Sequence, residues 1–191
     1  MSDESAQPQF QTLLTQHWGI VLKVAYSYGR SAEDRDDLAQ EICLQLWRSF
    51  ARYDASRTFS TWMYRVALNV AISDWRKNGR NEPPLLPIDG DEAIQVVAPP
   101  APEPDERIAA LNRLIAELDP LNRALVLLYL EERSYREIAE VLGLSETNVA
   151  TKLSRLKQRI RQGMVIYATD EETIEPILET GESSWNLMIS K

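Results

Sequence analysis

Phe10, Leu13, Leu14, Trp18, Val21 and Ala25 recur at three- and four-residue steps, which predicts one amphipathic helix over about 9–28. Gly29 is placed to end it. Ser31 can cap a second helix, with Glu33, Asp34, Asp36 and Asp37 suited to its positive N-terminal end. Leu38, Ile42, Leu46 and Phe50 form an apolar row through it, widened by Cys43 and Trp47. Its other face offers Asp37, Gln40, Glu41, Gln45 and Arg48, which spacing alone reads as a solvated face. A third helix, about 60–78, is apolar on two sides. Phe59, Trp62, Met63, Val66 and Val70 mark one side, and Tyr64, Leu68, Ala71 and Trp75 the other. Such a helix is either deeply buried or keeps aromatics for a partner. Arg76, Lys77 and Arg80 make its end basic, with Arg65 inside. Those cations suit either the helix dipole or phosphates beside stacked bases.

The helical period returns at Ile108, Leu111, Leu114, Ile115 and Leu118. Asp119-Pro120 then reads as an N-cap followed by proline at the first helical position, and Leu121, Ala124, Leu125, Leu128 and Tyr129 continue the pattern. Ser134 and Glu137 have capping-box spacing before Ile138, Val141 and Leu142. Gly143 suits the left-handed position that stops this helix. Leu144 fills the turn, Ser145 caps the next helix, and Val149, Leu153, Leu156 and Ile160 make its buried row. Glu146, Thr147, Asn148, Thr151, Lys152 and Arg155 are left outward, with Arg159 and Arg161 beyond. This is the pattern of a helix-turn-helix whose second helix enters a major groove, where Arg and Lys bond guanine and Asn bonds adenine. A helical hairpin that binds protein has the same caps but does not need the basic face.

Between the two helical blocks, residues 81–106 hold seven of the ten prolines, seven acids and no base. That stretch reads as a semi-rigid linker. The net charge of −8 is unevenly spread. Residues 1–80 carry 10 bases and 9 acids, 107–164 carry 10 bases and 7 acids, and the tail 165–191 carries one base and 6 acids. Attraction to a polyanion depends on such local balance, so the negative total does not exclude nucleic acid. The expected fold class is all-α: two small helical domains, 8–80 and 107–164, joined by a Pro-rich acidic linker. The acidic tail, with Trp185, Leu187, Met188 and Ile189 near its end, reads as a mobile or partner-docking segment, the alternative being that it folds back on the basic face or docks on the first domain and lowers activity.

One Cys and one His exclude a disulfide framework and leave too few ligands for a structural zinc site. His17 therefore reads as a packed or surface residue. There is no Gly-rich phosphate loop and no nucleophile-base pair, so neither an enzyme nor a cofactor is expected. No apolar run approaches membrane-spanning length, and the acidic start lacks signal-peptide features, which points to the cytoplasm and to no membrane insertion.

Three stretches in this order, DLAQEICLQLWRSFARYD, TFSTWMYRVALNVAISDWRK and SYREIAEVLGLSETNVATKLSRLKQRI, resemble the extracytoplasmic-function class of sigma-70 family factors. The resemblance implies a transcription initiation factor. Its partners would be the core of a bacterial RNA polymerase (its beta and beta-prime subunits), promoter DNA and an anti-sigma factor. It implies that Asp37, Gln40, Glu41 and Arg48 meet the polymerase. Arg65, Asn69, Trp75, Arg76 and Lys77 would meet the opened minus-ten element, beside a turn over Ser56 to Thr61 that captures a flipped base. Glu146, Asn148, Thr151, Lys152 and Arg155 would meet the duplex minus-thirty-five element. Ala150 stands where many relatives carry lysine, so that element's sequence is left open. The alternative reading is a stand-alone helix-turn-helix regulator, which would bind duplex without polymerase and would leave Trp62, Asn69 and Trp75 without a task. A helical protein-interaction adaptor would show no salt-sensitive DNA binding at all.

Overall fold

The computed structural model describes residues 3–77 and 106–164. The linker from 78 to 105, the tail beyond Met164, Arg80 and the proposed roles of both segments lie outside the described residues. The described residues form α1 (Asp3–Gln16), α2 (Trp18–Tyr28), α3 (Ala32–Phe50), α4 (Phe59–Lys77), α5 (Glu106–Ala116), α6 (Pro120–Leu130), α7 (Tyr135–Leu142) and α8 (Glu146–Met164), with no strand among them.

The single helix expected over 9–28 is two. The His17 amide is shared between the Leu13 and Leu14 carbonyls, each at 3.2 Å, and the backbone opens there to φ −114°, ψ 18°. The break turns the apolar stripe. Ile20, Val21, Val24, Ala25 and Tyr28 face the core, while Trp18, counted in the stripe by spacing, is 41% exposed. His17 packs its ring 5.6 Å from that of Phe59.

Gly29 does end α2, but with φ −77° and ψ 141°, an extended backbone open to any residue. Its reason is proximity: an added Cβ would lie 2.9 Å from the Arg35 amide nitrogen and 3.0 Å from the Ala25 carbonyl oxygen. Glycine here lets α2 and α3 meet at a sharp corner. Ser31 then caps α3 with a full capping box, paired with Asp34.

In the second half the local chemistry folds as spacing predicts. The Asp119 carboxylate accepts from the Asn122 amide, with Pro120 starting α6. Ser134 and Glu137 exchange bonds across the first turn of α7. Gly143 sits at φ 67°, ψ 35°, where a Cβ would clash with its own backbone. The Ser145 hydroxyl accepts from the Asn148 amide at 3.3 Å to start α8.

Packing departs from two independent bodies. Helices α2, α3 and α4 form one bundle, and α5 to α8 form another. Yet one cluster of buried apolar residues runs through both, from Val21, Ile42 and Met63 to Leu125, Ile138 and Leu153. Helices α6 and α7 lie against α2 and α4. Polar contacts line this seam. The Tyr28 hydroxyl donates to the Pro120 carbonyl at 2.6 Å. Arg123 is 1% exposed and donates to the carbonyls of Ala116, Leu118 and, at 2.9 Å, Ser27. It thus ties the loop before α6 to the end of α2. Burial lowers the Arg123 pKa from its ordinary value, and the facing Tyr28 and Asp119 oppose that shift.

Candidate nucleic-acid and protein interfaces

Helix α3 buries Leu38, Ile42, Leu46 and Phe50, which leaves the opposite side to solvent. At 3.6 residues per turn, Asp37, Gln40, Glu41 and Arg48 fall within a stripe about 100° wide, and all four are exposed. Leu44 lies in the middle of that stripe and is 49% exposed. Trp47 borders it at 39% exposure and packs one face on Phe10, ring centres 5.1 Å apart. Leu44 thus sets an apolar side chain at the centre of a charged and polar stripe. Leu44 was missed from sequence because it breaks the periodic apolar row instead of joining it.

Helix α4 presents Arg65, Asn69 and Arg76, all exposed, along one line of its surface. Between α3 and α4 runs a groove of about 790 Å³ whose walls include Asp37, Glu41, Asn69 and Lys77. The structure therefore brings together residues the resemblance divides between polymerase and DNA. Gln40 and Arg48 lie outside this groove, as do Arg65, Arg76 and half-buried Trp75. The expectation of freely stacking aromatics narrows. Phe59 is 6% exposed and Tyr64 fully buried, so Trp62 and Trp75 are the half-open rings of α4.

The turn from Ser56 to Thr61 is held rigidly from below. The Asp54 carboxylate accepts from the Ser56 amide at 2.9 Å and the Ser56 hydroxyl at 2.8 Å. Those bonds, the backbone one foremost, hold its carboxyl below the usual aspartate range. The Tyr53 hydroxyl donates to the Arg57 carbonyl at 2.8 Å. Under the turn, Phe50, Tyr53, Phe59 and Trp62 pack together with centres between 5.2 and 6.4 Å, Phe50 and Tyr53 stacked and the other pairs edge to face or tilted. Much of the aromatic load of the first half is thus spent on shaping this turn.

Helix α8 buries Val149, Leu153, Leu156, Ile160 and Met164. Asn148, Thr151, Lys152, Arg155 and Arg159 share a stripe about 100° wide on the other side. Glu146 is exposed but starts the helix on a different side, away from that stripe. Thr151 donates its hydroxyl proton to the Thr147 carbonyl at 2.9 Å, which leaves its oxygen an acceptor and its methyl free. Among the described residues no group of His, Cys, Asp and Glu could hold a metal ion.

The family profile described as Sigma-70 region 2 matches residues 13–81, and that described as Sigma-70, region 4 matches residues 108–160. The chain is also 31% identical over 173 residues, 88% of its length, to the ECF RNA polymerase sigma factor SigE of Mycolicibacterium smegmatis. The chain belongs to the sigma-70 family, in its extracytoplasmic-function class. It spans 66% of the Mycolicibacterium protein's length, so that relative carries further sequence beyond the match. It is 25% identical to the ECF sigma factor SigW of Bacillus subtilis, over 82% of this chain and 89% of that one. The sigma factor RpoE of Bartonella quintana, solved with the anti-sigma factor NepR, has the same fold, with a TM-score of 0.65 at 19% identity over 84% of this chain and 99% of that one. In sigma-factor terms, α2 to α4 lie within region 2, and α6, α7 and most of α5 and of α8 lie within region 4.

Proposed function

We propose that this chain is an alternative sigma factor of the bacterial cytoplasm that binds core RNA polymerase and brings it to specific promoters. The observation that carries the reading is the pairing of two surfaces in one chain. One is the exposed α3 stripe centred on Leu44; the other is the basic outer face of α8. A stand-alone DNA-binding regulator needs only the second.

In this reading Asp37, Gln40, Glu41 and Arg48 form the charged rim around Leu44 where polymerase docks. Asn69, Arg65 and Arg76 face the opened minus-ten strand, with Lys77 at the groove and Trp62 and Trp75 as stacking surfaces. Lys152, Arg155 and Asn148 read or grip duplex at the minus-thirty-five element, and Thr151 accepts from a base amino group. The chemistry is binding and strand separation, with no covalent step. An anti-sigma factor that covers these surfaces is the expected regulator.

Run-off transcription with purified bacterial core polymerase tests this. Specific initiation on a template that core alone ignores is the expected result. It should be abolished in Leu44→Arg and strongly reduced in Glu41→Arg, with folding intact by circular dichroism. Duplex binding by the free chain with no effect on polymerase would reject it.

A further inference from the structure

We infer that, in the free chain, the acidic segment beyond Met164 lies along the basic outer face of α8 and competes there with DNA phosphates. The inference rests on the sigma-factor reading above, since it concerns the face assigned to the minus-thirty-five element.

Elsewhere in the molecule several cations meet carboxylates of the same chain. Lys23 places its Nζ 2.6 Å from both Glu131 carboxylate oxygens, and the Tyr64 hydroxyl donates to the same group at 2.9 Å. Arg57 lies 2.6 Å from Glu140, and Arg133 lies 3.4 Å from Glu137. Helix α8 is different. After Glu146 it holds Lys152, Arg155, Lys157, Arg159 and Arg161, and no acid. Lys152, Arg155 and Arg159 follow one another at three- and four-residue steps on the outward stripe. Like charges at that spacing destabilise a helix. No carboxylate among the described residues pairs with these three cations. Lys157 sits on the other flank of α8, its Nζ 4.0 Å from the centre of the Tyr129 ring.

The counter-charge comes next in the sequence. Asp170, Glu171, Glu172, Glu175, Glu179 and Glu182 fall within thirteen residues, and no base occurs between Arg161 and Lys191. Five residues, Val165 to Thr169, separate Met164 from the first of these acids. Extended, they span on the order of 17 Å. Along the axis of α8, Arg159 lies about 7 Å back from Met164 and Lys152 about 18 Å back. The acids are therefore tethered within reach of the whole stripe. A tether this short gives an effective concentration on the order of millimolar, so each contact can be weak. The acids then occupy cations that phosphates would otherwise take. That competition falls equally on every duplex, so it keeps the free chain off bulk DNA without changing its preference among sequences.

The test keeps the full chain and neutralises the segment in place, with Glu172→Gln, Glu175→Gln, Glu179→Gln and Glu182→Gln together. A control removes as many charges from the linker, with Asp89→Asn, Asp91→Asn, Glu92→Gln and Glu103→Gln. Fluorescence anisotropy with a labelled duplex of mixed sequence reads affinity at low salt. The first variant should bind about tenfold tighter, the gain expected when the open face rises from about a tenth of the population to nearly all of it. The linker control should gain no more than about twofold, through net charge alone. Carbodiimide coupling of carboxyl groups to lysine amines, read by mass spectrometry, locates the segment. In the wild-type chain Lys152, and not Lys157, should be joined to acids of 170–182, and saturating duplex should suppress the link. Equal gains from the two variants would overturn the inference in favour of general repulsion. A wild-type chain without the Lys152 link, or a link that persists under saturating duplex, would overturn it too. Failure of wild type and variant alike to bind any duplex would instead overturn the assignment of α8 to DNA, while the Lys152 link still reports where the acids lie.

Discussion

Gly29 lies so close to Arg35 that a methyl group in place of its hydrogen would stand 2.6 Å from the Arg35 Cγ and 2.9 Å from the Arg35 amide nitrogen. The side chain could swing away; the backbone could not without moving α3. Gly29→Ala should therefore destabilise region 2 by about 1–3 kcal/mol. Gly19 lies inside α2, and a methyl group added there would meet nothing within 4 Å. Gly19→Ala should stabilise by roughly 0.5–1 kcal/mol through helix propensity. Urea midpoints of the two variants should move in opposite directions.

The start of α7 links stability to acid pH. Hydrogen bonds from Ser134, its hydroxyl foremost, hold the Glu137 carboxyl below the usual glutamate range. A depressed carboxyl contributes stability above its unfolded value, and that contribution fades as pH falls through the folded value. Ser134→Ala should cost about 1 kcal/mol at neutral pH. It should also flatten the loss of stability below the ordinary glutamate range, as thermal melts at several acid pH values would show.

Alkali tests the seam between the halves. Burial drives the Tyr28 and Tyr64 hydroxyls well above the usual tyrosine range, and for Tyr64 the Glu131 carboxylate adds to it. The sign is opposite to the glutamate case. Their contribution is whole below the ordinary tyrosine pKa of about 10 and is lost as pH rises beyond it. Ultraviolet titration, run alongside circular dichroism on the same samples, should show Tyr28 and Tyr64 ionising only together with loss of helicity.

On α8 the predictions separate charge from shape. Lys152→Ala and Arg155→Ala should each weaken duplex binding and lower the salt slope by about one, if each cation neutralises a phosphate. Thr151→Val keeps the methyl but removes the acceptor oxygen. It should alter preference among sequences and leave the salt slope unchanged, as fluorescence anisotropy at several salt concentrations would measure.

Much of this architecture was legible because its causes are local. Ser31, Asp119, Ser134 and Ser145 start their helices, and Gly143 turns left-handed, through bonds that span three or four residues. The basic stripe of α8 follows from the same arithmetic. What escaped depends on partners far away in the chain. Nothing within 9–28 announces that the helix breaks at His17, whose ring packs on Phe59. Arg123 looks like a polar interruption in the apolar run of α6, but its task is set by carbonyls at the end of α5, in the loop before α6 and, at Ser27, near the end of α2. The clasp of Glu131 on Lys23 and Tyr64 is invisible to any window of sequence.

The apolar cluster that threads both halves has a practical meaning for anyone who cuts the gene in two. Heating should melt the intact polypeptide in a single calorimetric peak, since the interiors of the two halves are continuous with one another. A fragment ending near the linker would leave oily surface bare and would tend to clump. If the halves ever part, each would need another apolar roof in the other's place.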